Sequence, residues 1–304
     1  MSLKDWLLSW VYLRSSGLAP RTVDSYVSLI RLHLGDLACV QLCELQPGQI
    51  SARLASICAA GHTRTAQLLY ILMHAALAAA VHQGVLPRSP VDMVMRPRHY
   101  STQRAYLCAD DLRRFLARSS SSWCVAWHLA AVLGLRRGEL CGLQWSDVDF
   151  DSQVIHIHQQ RLRLADGTVQ LAPPKSRAGV RDLPVPPDLL RILSATRTNQ
   201  VARQLAGALP ATWVVATVRN APVSPSSVNH ALKRDLLAAG LPVVPLHGLR
   251  HSMATMAMQS GINLRVLQSL LGHSSVTTTA AIYCHVVLSD KREAIAELTR
   301  VCYT

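Results

Sequence analysis

From Leu3 to about Val94 apolar residues recur every three or four positions. Trp6, Leu7, Trp10 and Leu13 share one stripe, Val23 to Leu34 carry a second, and Ile50 to Ala60 and Thr63 to Gln83 continue the pattern. Residues so spaced lie on one face of an α-helix. The breaks fall at Gly17 and Pro20, Gly35, Pro47 and Gly48, Gly61, and Gly84 and Pro87, residue types that end helices and form turns. A bundle of four or five helices is expected. Its most apolar run, Leu68 to Val81, is 14 residues long and contains His74. That is short of the roughly 20 residues that span a bilayer; the run suits a buried core helix, and no membrane partner is indicated.

The stretch RPRHYSTQRAY, from Arg96, interrupts the pattern with three arginines, a proline and no aliphatic residue except Ala105. It reads as an exposed basic linker over 96–105. Helical spacing returns over Cys108 to Ala117 and Ser122 to Leu143, and then the period shortens to two. QVIHIHQQRLRL, residues 153–164, alternates apolar and polar side chains, Asp166 and Gly167 form a hairpin-turn pair, and TVQLAP and GVRDLPV supply two more short strands. Leu189 to Leu209, Ser226 to Ala239, 247–260 and 263–271 are helical again. The chain closes on DKREAIAELTRV, where Asp290 and Glu293 have capping-box spacing and Ile295, Leu298 and Val301 form a stripe. The expected fold is mainly α with a small antiparallel β-sheet: a helical domain over 1–95 and an α+β domain over 106–304 that ends in a helix.

Composition narrows the function. Half of the residues are hydrophobic and 16% are charged, a balance that folds. The N-terminal MSLKDWLLSW carries an acid inside its short apolar run and no small-residue cleavage site, so a cytoplasmic protein is expected. Eight cysteines include no CxxC pair, and the spacing of Cys39 and Cys43 fits one helix face better than a zinc knuckle. The HxxxH of His247 and His251 lacks the glutamate of a zinc protease. A net charge of +13 suits a polyanionic partner. It is unevenly spread: residues 1–95 hold seven Lys and Arg against five Asp and Glu, whereas residues 96–304 hold 24 against 13. The second domain carries most of the positive field.

Four stretches of that domain bear on chemistry. Singly, each is compatible with packing: Arg136 and Glu139 of GLRRGEL pairing along a helix, HGLRH as a polar helix face, LGHSS as a helix end, and Tyr283 as a core tyrosine. Together they supply what breaks a phosphodiester by displacement without a metal: a nucleophile, fixed cations on the phosphoryl oxygens and an acid for the departing oxygen. The Tyr283 phenol, with an ordinary pKa of about 10, ionises far more readily than an alcohol, and its attack leaves a phosphotyrosyl ester that retains the bond energy. Arg136 and Arg250 can fork onto the non-bridging oxygens. His273 can donate a further bond, and His247 can take the phenol proton. Of the 31 basic side chains four are lysines, and Lys175 lies in the turn of PPKSRAGVRDLPV, between two expected strands. Arginine does not release its proton, so Lys175 is the candidate acid, with an exposed hairpin lysine as the alternative.

The stretches AVLGLRRGELCGLQWSDVD (131–149), PPKSRAGVRDLPV (173–185), HGLRHSMATMAM (247–258) and LGHSSVTTTAAIYCHV (271–286) resemble, in this order, the tyrosine recombinase (phage integrase) family. The similarity runs from about Tyr106 to the end. The first domain resembles, less distinctively, the SAM-like core-binding domain of that family. The resemblance implies that Arg136, Lys175, His247, Arg250, His273 and Tyr283 take the active-site positions and Glu139 a supporting one. It further implies cutting and rejoining of DNA through a 3′-phosphotyrosyl intermediate, strand exchange through a four-way junction, and no metal or nucleotide cofactor. The implied partners are double-stranded DNA with inverted-repeat core sites, clamped by the two domains, further copies of the chain in a homotetramer, and accessory DNA-bending proteins. The chain length suits recombinases that resolve chromosome dimers, while the insert QQRLRLADGTVQLAPPKS suits integrases of phages and conjugative transposons. Integration, resolution and inversion all stay open. Two other readings compete: a type IB topoisomerase-like enzyme that nicks and reseals without synapsis, and a non-catalytic DNA-binding regulator on the same fold, which the complete set of six residues weakens.

Overall fold

The computed structural model describes residues 1–99, 105–119, 122–164, 166–174 and 176–272. Lys175, His273, Tyr283 and the terminal helix expected at 290–301 lie outside the described residues. The chain divides into two compact units, residues 1–103 with 164–168, and residues 104–163 with 169–304.

The first unit is built on α1 (Leu3–Leu13), α2 (Pro20–His33), α3 (Pro47–Ala59) and α4 (Thr63–His82). Ser2 caps α1 by accepting the Asp5 N–H, and prolines open α2 and α3, where a missing N–H leaves no bond unmade. The apolar faces meet around Leu7, Ile30, Ile50, Leu69, Met73 and Leu77. By length and composition α4 could cross a membrane. Here its face of Ala66, Leu69, Leu72, Met73, Ala76, Leu77 and Ala80 is buried against α1, α2 and α3, as a core helix requires. Trp6 crosses the core to donate its indole N–H to the Ala76 carbonyl (2.9 Å). Leu13, expected on the buried stripe of α1, is the last residue of that helix and is exposed, while Leu3 and Val11 are buried. The start of the expected linker is tied to this unit: the Gln67 amide donates to the Pro97 carbonyl (3.4 Å), and Thr63 Oγ1 lies 3.0 Å from His99 Nδ1.

The second unit holds α5 (Ala109–Arg118), α6 (Cys124–Val132), α7 (Arg137–Gly142), β1 (Val148–Asp149), β2 (Val154–Ile157), β3 (Gln160–Arg163), β4 (Val169–Ala172), β5 (Arg181–Pro184), α8 (Pro187–Leu205), α9 (Pro225–Ala238), α10 (Leu246–Gln259) and α11 (Leu264–Leu271). The almost wholly apolar α6 lies at its centre, in contact with α5, α8 and α10. Its Trp127 is fully buried, yet the indole N–H reaches the Asp235 carboxylate at 2.9 Å. Antiparallel strands in the order β1-β2-β5 place Ile155 opposite both Val148 and Leu183, three buried residues on one face.

Two expected elements divide. The helix expected over 122–143 is interrupted at Gly134, whose φ of +65° no helix interior accepts. The strand expected over 153–164 becomes two: β2 stays in the three-stranded sheet, while β3 leaves it to pair with β4 alone around Gly167. The departure has a visible cause. The β3 backbone runs so close to α7 that a Cβ on Gly142 would sit 3.0 Å from the Arg161 nitrogen.

Candidate active site

A helix ends with its last four carbonyls lacking intrahelical partners, and their dipoles make that end negative. In α11 three successive carbonyls at this end are each taken by an arginine. Arg181 Nε donates to Leu270 O (2.7 Å), Arg250 Nη2 to Leu271 O (2.5 Å) and Arg136 Nη2 to Gly272 O (2.5 Å). The donors come from β5, from α10 and from the residue that precedes α7. Gly272 closes the helix at a φ of +62°, and a Cβ there would meet the Ala178 carbonyl at 2.6 Å, so both conformation and space require glycine.

Glu139 joins two of these arginines. Its Oε1 accepts from Arg136 Nη1 (2.6 Å) and Arg181 Nη1 (3.1 Å), and its Oε2 accepts from the Arg136 backbone N–H (2.9 Å) and Arg181 Nη2 (2.9 Å). The residue is only 2% exposed. Burial by itself would raise the carboxyl pKa; the Arg181 hydrogen bonds and the charges of Arg181 and Arg136 outweigh it and hold the group below the usual carboxylate value. Glu139 is thus an anion at neutral pH. The break at Gly134 serves the same cluster: its carbonyl accepts from Arg250 Nη1 (2.5 Å), and a Cβ on it would press on the Leu271 side chain at 2.9 Å.

The arginines differ in access. Arg250 is buried, whereas the Arg136 side chain keeps 34% of its surface. His247 is exposed on α10, one turn before Arg250. The opposite flank of α10 receives the chain entering the unit. The Leu107 N–H donates to Ser252 Oγ (2.8 Å), which itself donates to the Gly248 carbonyl (3.0 Å), and the Ala105 carbonyl lies 2.7 Å from where a Gly248 Cβ would be. The Tyr106 and His251 rings are 5.0 Å apart beside them.

The structure therefore brings Arg136, Glu139 and Arg250 together at the end of α11 and sets His247 on the helix that carries Arg250. In the chain Lys175 falls between β4 and β5, and His273 directly follows Gly272. Among the described residues no group of three His, Cys, Asp or Glu side chains could hold a metal ion. Sequence reasoning missed Arg181. Its signal was the alternation of GVRDLPV, which sets Arg181 on the same side of β5 as the buried Leu183.

The phage integrase family model matches residues 106–289. The chain belongs to this family, the tyrosine recombinases, and is an enzyme of that class. It is 30% identical to tyrosine recombinase XerC of Mycobacterium leprae over 283 residues, covering 86% of this chain and 89% of that protein. To a XerC-like tyrosine recombinase of Caldanaerobacter subterraneus it is 31% identical over 185 residues; the match covers 56% of this chain and about half, 47%, of that relative. In fold it is similar to the Tn1549 transposon integrase in complex with a circular intermediate DNA, with a TM-score of 0.84 over 98% of this chain and 99% of that one, at 20% identity.

Proposed function

We propose that the protein is a site-specific DNA recombinase acting in the cytoplasm, in which the Tyr283 phenolate attacks a scissile phosphate and the 5′ oxygen departs with a proton. The observation that carries this reading is the convergence of Arg136 and Arg250 on the carbonyls that immediately precede His273. Each terminal guanidinium nitrogen bears two hydrogens. A carbonyl or carboxylate can therefore fix the plane of the group while its outer edge serves a phosphate oxygen. In this reading His273 adds a bond to the phosphate, His247 takes the phenol proton, and Lys175 gives its proton to the leaving oxygen. The product is a 3′-phosphotyrosyl ester and a free 5′ hydroxyl. Reversal with a partner strand's 5′ hydroxyl exchanges strands through a four-way junction, with four copies of the chain on paired inverted-repeat sites. The first unit contributes core-site binding, and accessory DNA-bending proteins are compatible with it. The uneven positive charge supports phosphate grip by the second unit.

The test is covalent capture on a nicked suicide substrate, whose short fragment bearing the new 5′ hydroxyl diffuses away. Wild-type protein should accumulate an adduct, and Tyr283→Phe should bind the same DNA and form none, with Tyr303→Phe as control. An adduct in Tyr283→Phe would remove the assignment.

A further inference from the structure

We infer that Arg181 is a positioning residue of this active site: it orients Arg136 through their shared carboxylate, Glu139, and it holds the end of α11 from which the chain enters His273. The inference rests on the recombinase reading above.

The Arg181 guanidinium has no edge left to fork onto a phosphate, because four of its five N–H hydrogens are spent on partners inside the unit. All three guanidinium nitrogens are engaged inside the unit: Nε on Leu270 O, Nη1 on Gly179 O and Glu139 Oε1, and Nη2 on Glu139 Oε2. The two bonds to Glu139 form a fork, which fixes the plane of the carboxylate as well as its position. Both oxygens so fixed also hold Arg136, one through Nη1 and the other through the backbone N–H. The orientation of the half-buried Arg136 is thus passed outward from a buried group on β5. That strand is itself anchored in register, with Arg181 opposite Ile157 and Leu183 opposite Ile155, so the first link of the relay is a sheet position rather than a loop. The third nitrogen couples the same guanidinium to α11, one residue from the carbonyl held by Arg250 and two from the one held by Arg136. A lysine in its place would keep the charge with a single point donor and would lose the fork.

Single-turnover cleavage of the suicide substrate by Arg181→Lys tests this. DNA affinity should stay at the wild-type level while the cleavage rate of bound protein falls by about 10²-fold, the scale of an ångström-sized misplacement. The distinguishing readout is a methylphosphonate at the scissile position, which replaces a charged non-bridging oxygen with methyl and so reduces the need for Arg136. The Arg181→Lys defect should shrink on that substrate in parallel with the defect of Arg136→Lys. Wild-type cleavage by Arg181→Lys, or a defect that stays the same on methylphosphonate while that of Arg136→Lys shrinks, overturns the inference. Normal cleavage by Arg136→Lys would instead remove the recombinase reading, and the inference with it. If Arg181→Lys does not fold, Glu139→Gln, which keeps the shape of the shared group, is held to the same comparison with the same outcomes.

Discussion

The interiors of the two units are made of different material. Among the described residues, the first unit buries one polar side chain, Ser89, and is otherwise packed from aliphatic and aromatic groups. The second unit buries Glu139, Asp147, Arg181, Gln200, Asn220, Arg250 and Ser252. Taking charges out of water is unfavourable even when they are paired, and apolar groups of similar size would often hold a fold as well or better. Buried charge is therefore a poor way to gain stability and a good way to gain fixed geometry. The contrast locates that geometry: Glu139, Arg181 and Arg250 all bear on the last turn of α11 or on Arg136 beside it.

The contrast breaks first, if it is wrong, on a pair of alanine variants. Glu139→Ala leaves the Arg181 guanidinium buried without its carboxylate, a loss expected to cost about 3–5 kcal/mol in urea unfolding. It should also slow cleavage by bound protein severely. Leu77→Ala in the first unit opens a cavity that costs about 2–5 kcal/mol, and its bound protein should cleave at nearly the wild-type rate. Equal effects of the two on cleavage would show that the buried charges serve stability alone.

A pair of glycines sharpens the same contrast with smaller effects. Gly272 and Gly61 both have positive φ, +62° and +82°, so alanine at either is strained by about 1–2 kcal/mol. Only at Gly272 would an added Cβ also be crowded, by the Ala178 carbonyl and by Arg181 Nη1 at 3.0 Å, whereas a Cβ on Gly61 would point into open space. Gly272→Ala should therefore lose about 1–3 kcal/mol more than Gly61→Ala, and it alone should impair cleavage. Thermal unfolding and suicide-substrate assays on both variants decide this.

The smallest effect is a pH dependence. The Glu139 carboxyl is held below its ordinary value of 4.5 in the folded protein, so the unfolded chain binds its proton more readily. The stability this contributes is complete above that ordinary value and is lost as pH falls through the lower folded one. Glu139→Gln has no such proton to bind. The gap in unfolding free energy between wild type and Glu139→Gln should be widest near neutral pH and narrow on acidification below about 4.5. A gap that stays constant would mean that Glu139 is not held as an anion.

Much of this architecture was legible in the chain, for physical reasons that also mark where reading stopped. The helical stripes of the first unit are written in residues whose only task is burial, so period alone places α2, α3 and α4. Arg136, Glu139 and Arg250 could be grouped because the resemblance of their ordered motifs to the recombinase family implies it. What escaped depended on contacts distant in sequence. Gly134 reads as one tolerable glycine in a long apolar helix; its left-handed turn makes sense only once its carbonyl meets Arg250, 116 positions away. The alternation over 153–164 carries no mark of the hand-off from the sheet to α7, because Gly142 lies outside the strand. Arg181 was not singled out in GVRDLPV, because its partner Glu139 is 42 positions upstream.

The seat that Gly248 and Ser252 make for the incoming backbone decides where the chain can be divided. A fragment of the second unit trimmed to its first helix, starting at Ala109, would strip the Leu107 amide from Ser252 and lift the Ala105 carbonyl off Gly248. A bare glycine notch, and a hydroxyl that keeps its bond to the Gly248 carbonyl but has lost the donor it accepted from, would then be left on the helix that bears His247 and Arg250. Cloning boundaries drawn from secondary structure fall on the wrong side of this seam. A fragment of the second unit that keeps both contacts begins at or before Ala105, with the strap included rather than discarded as linker.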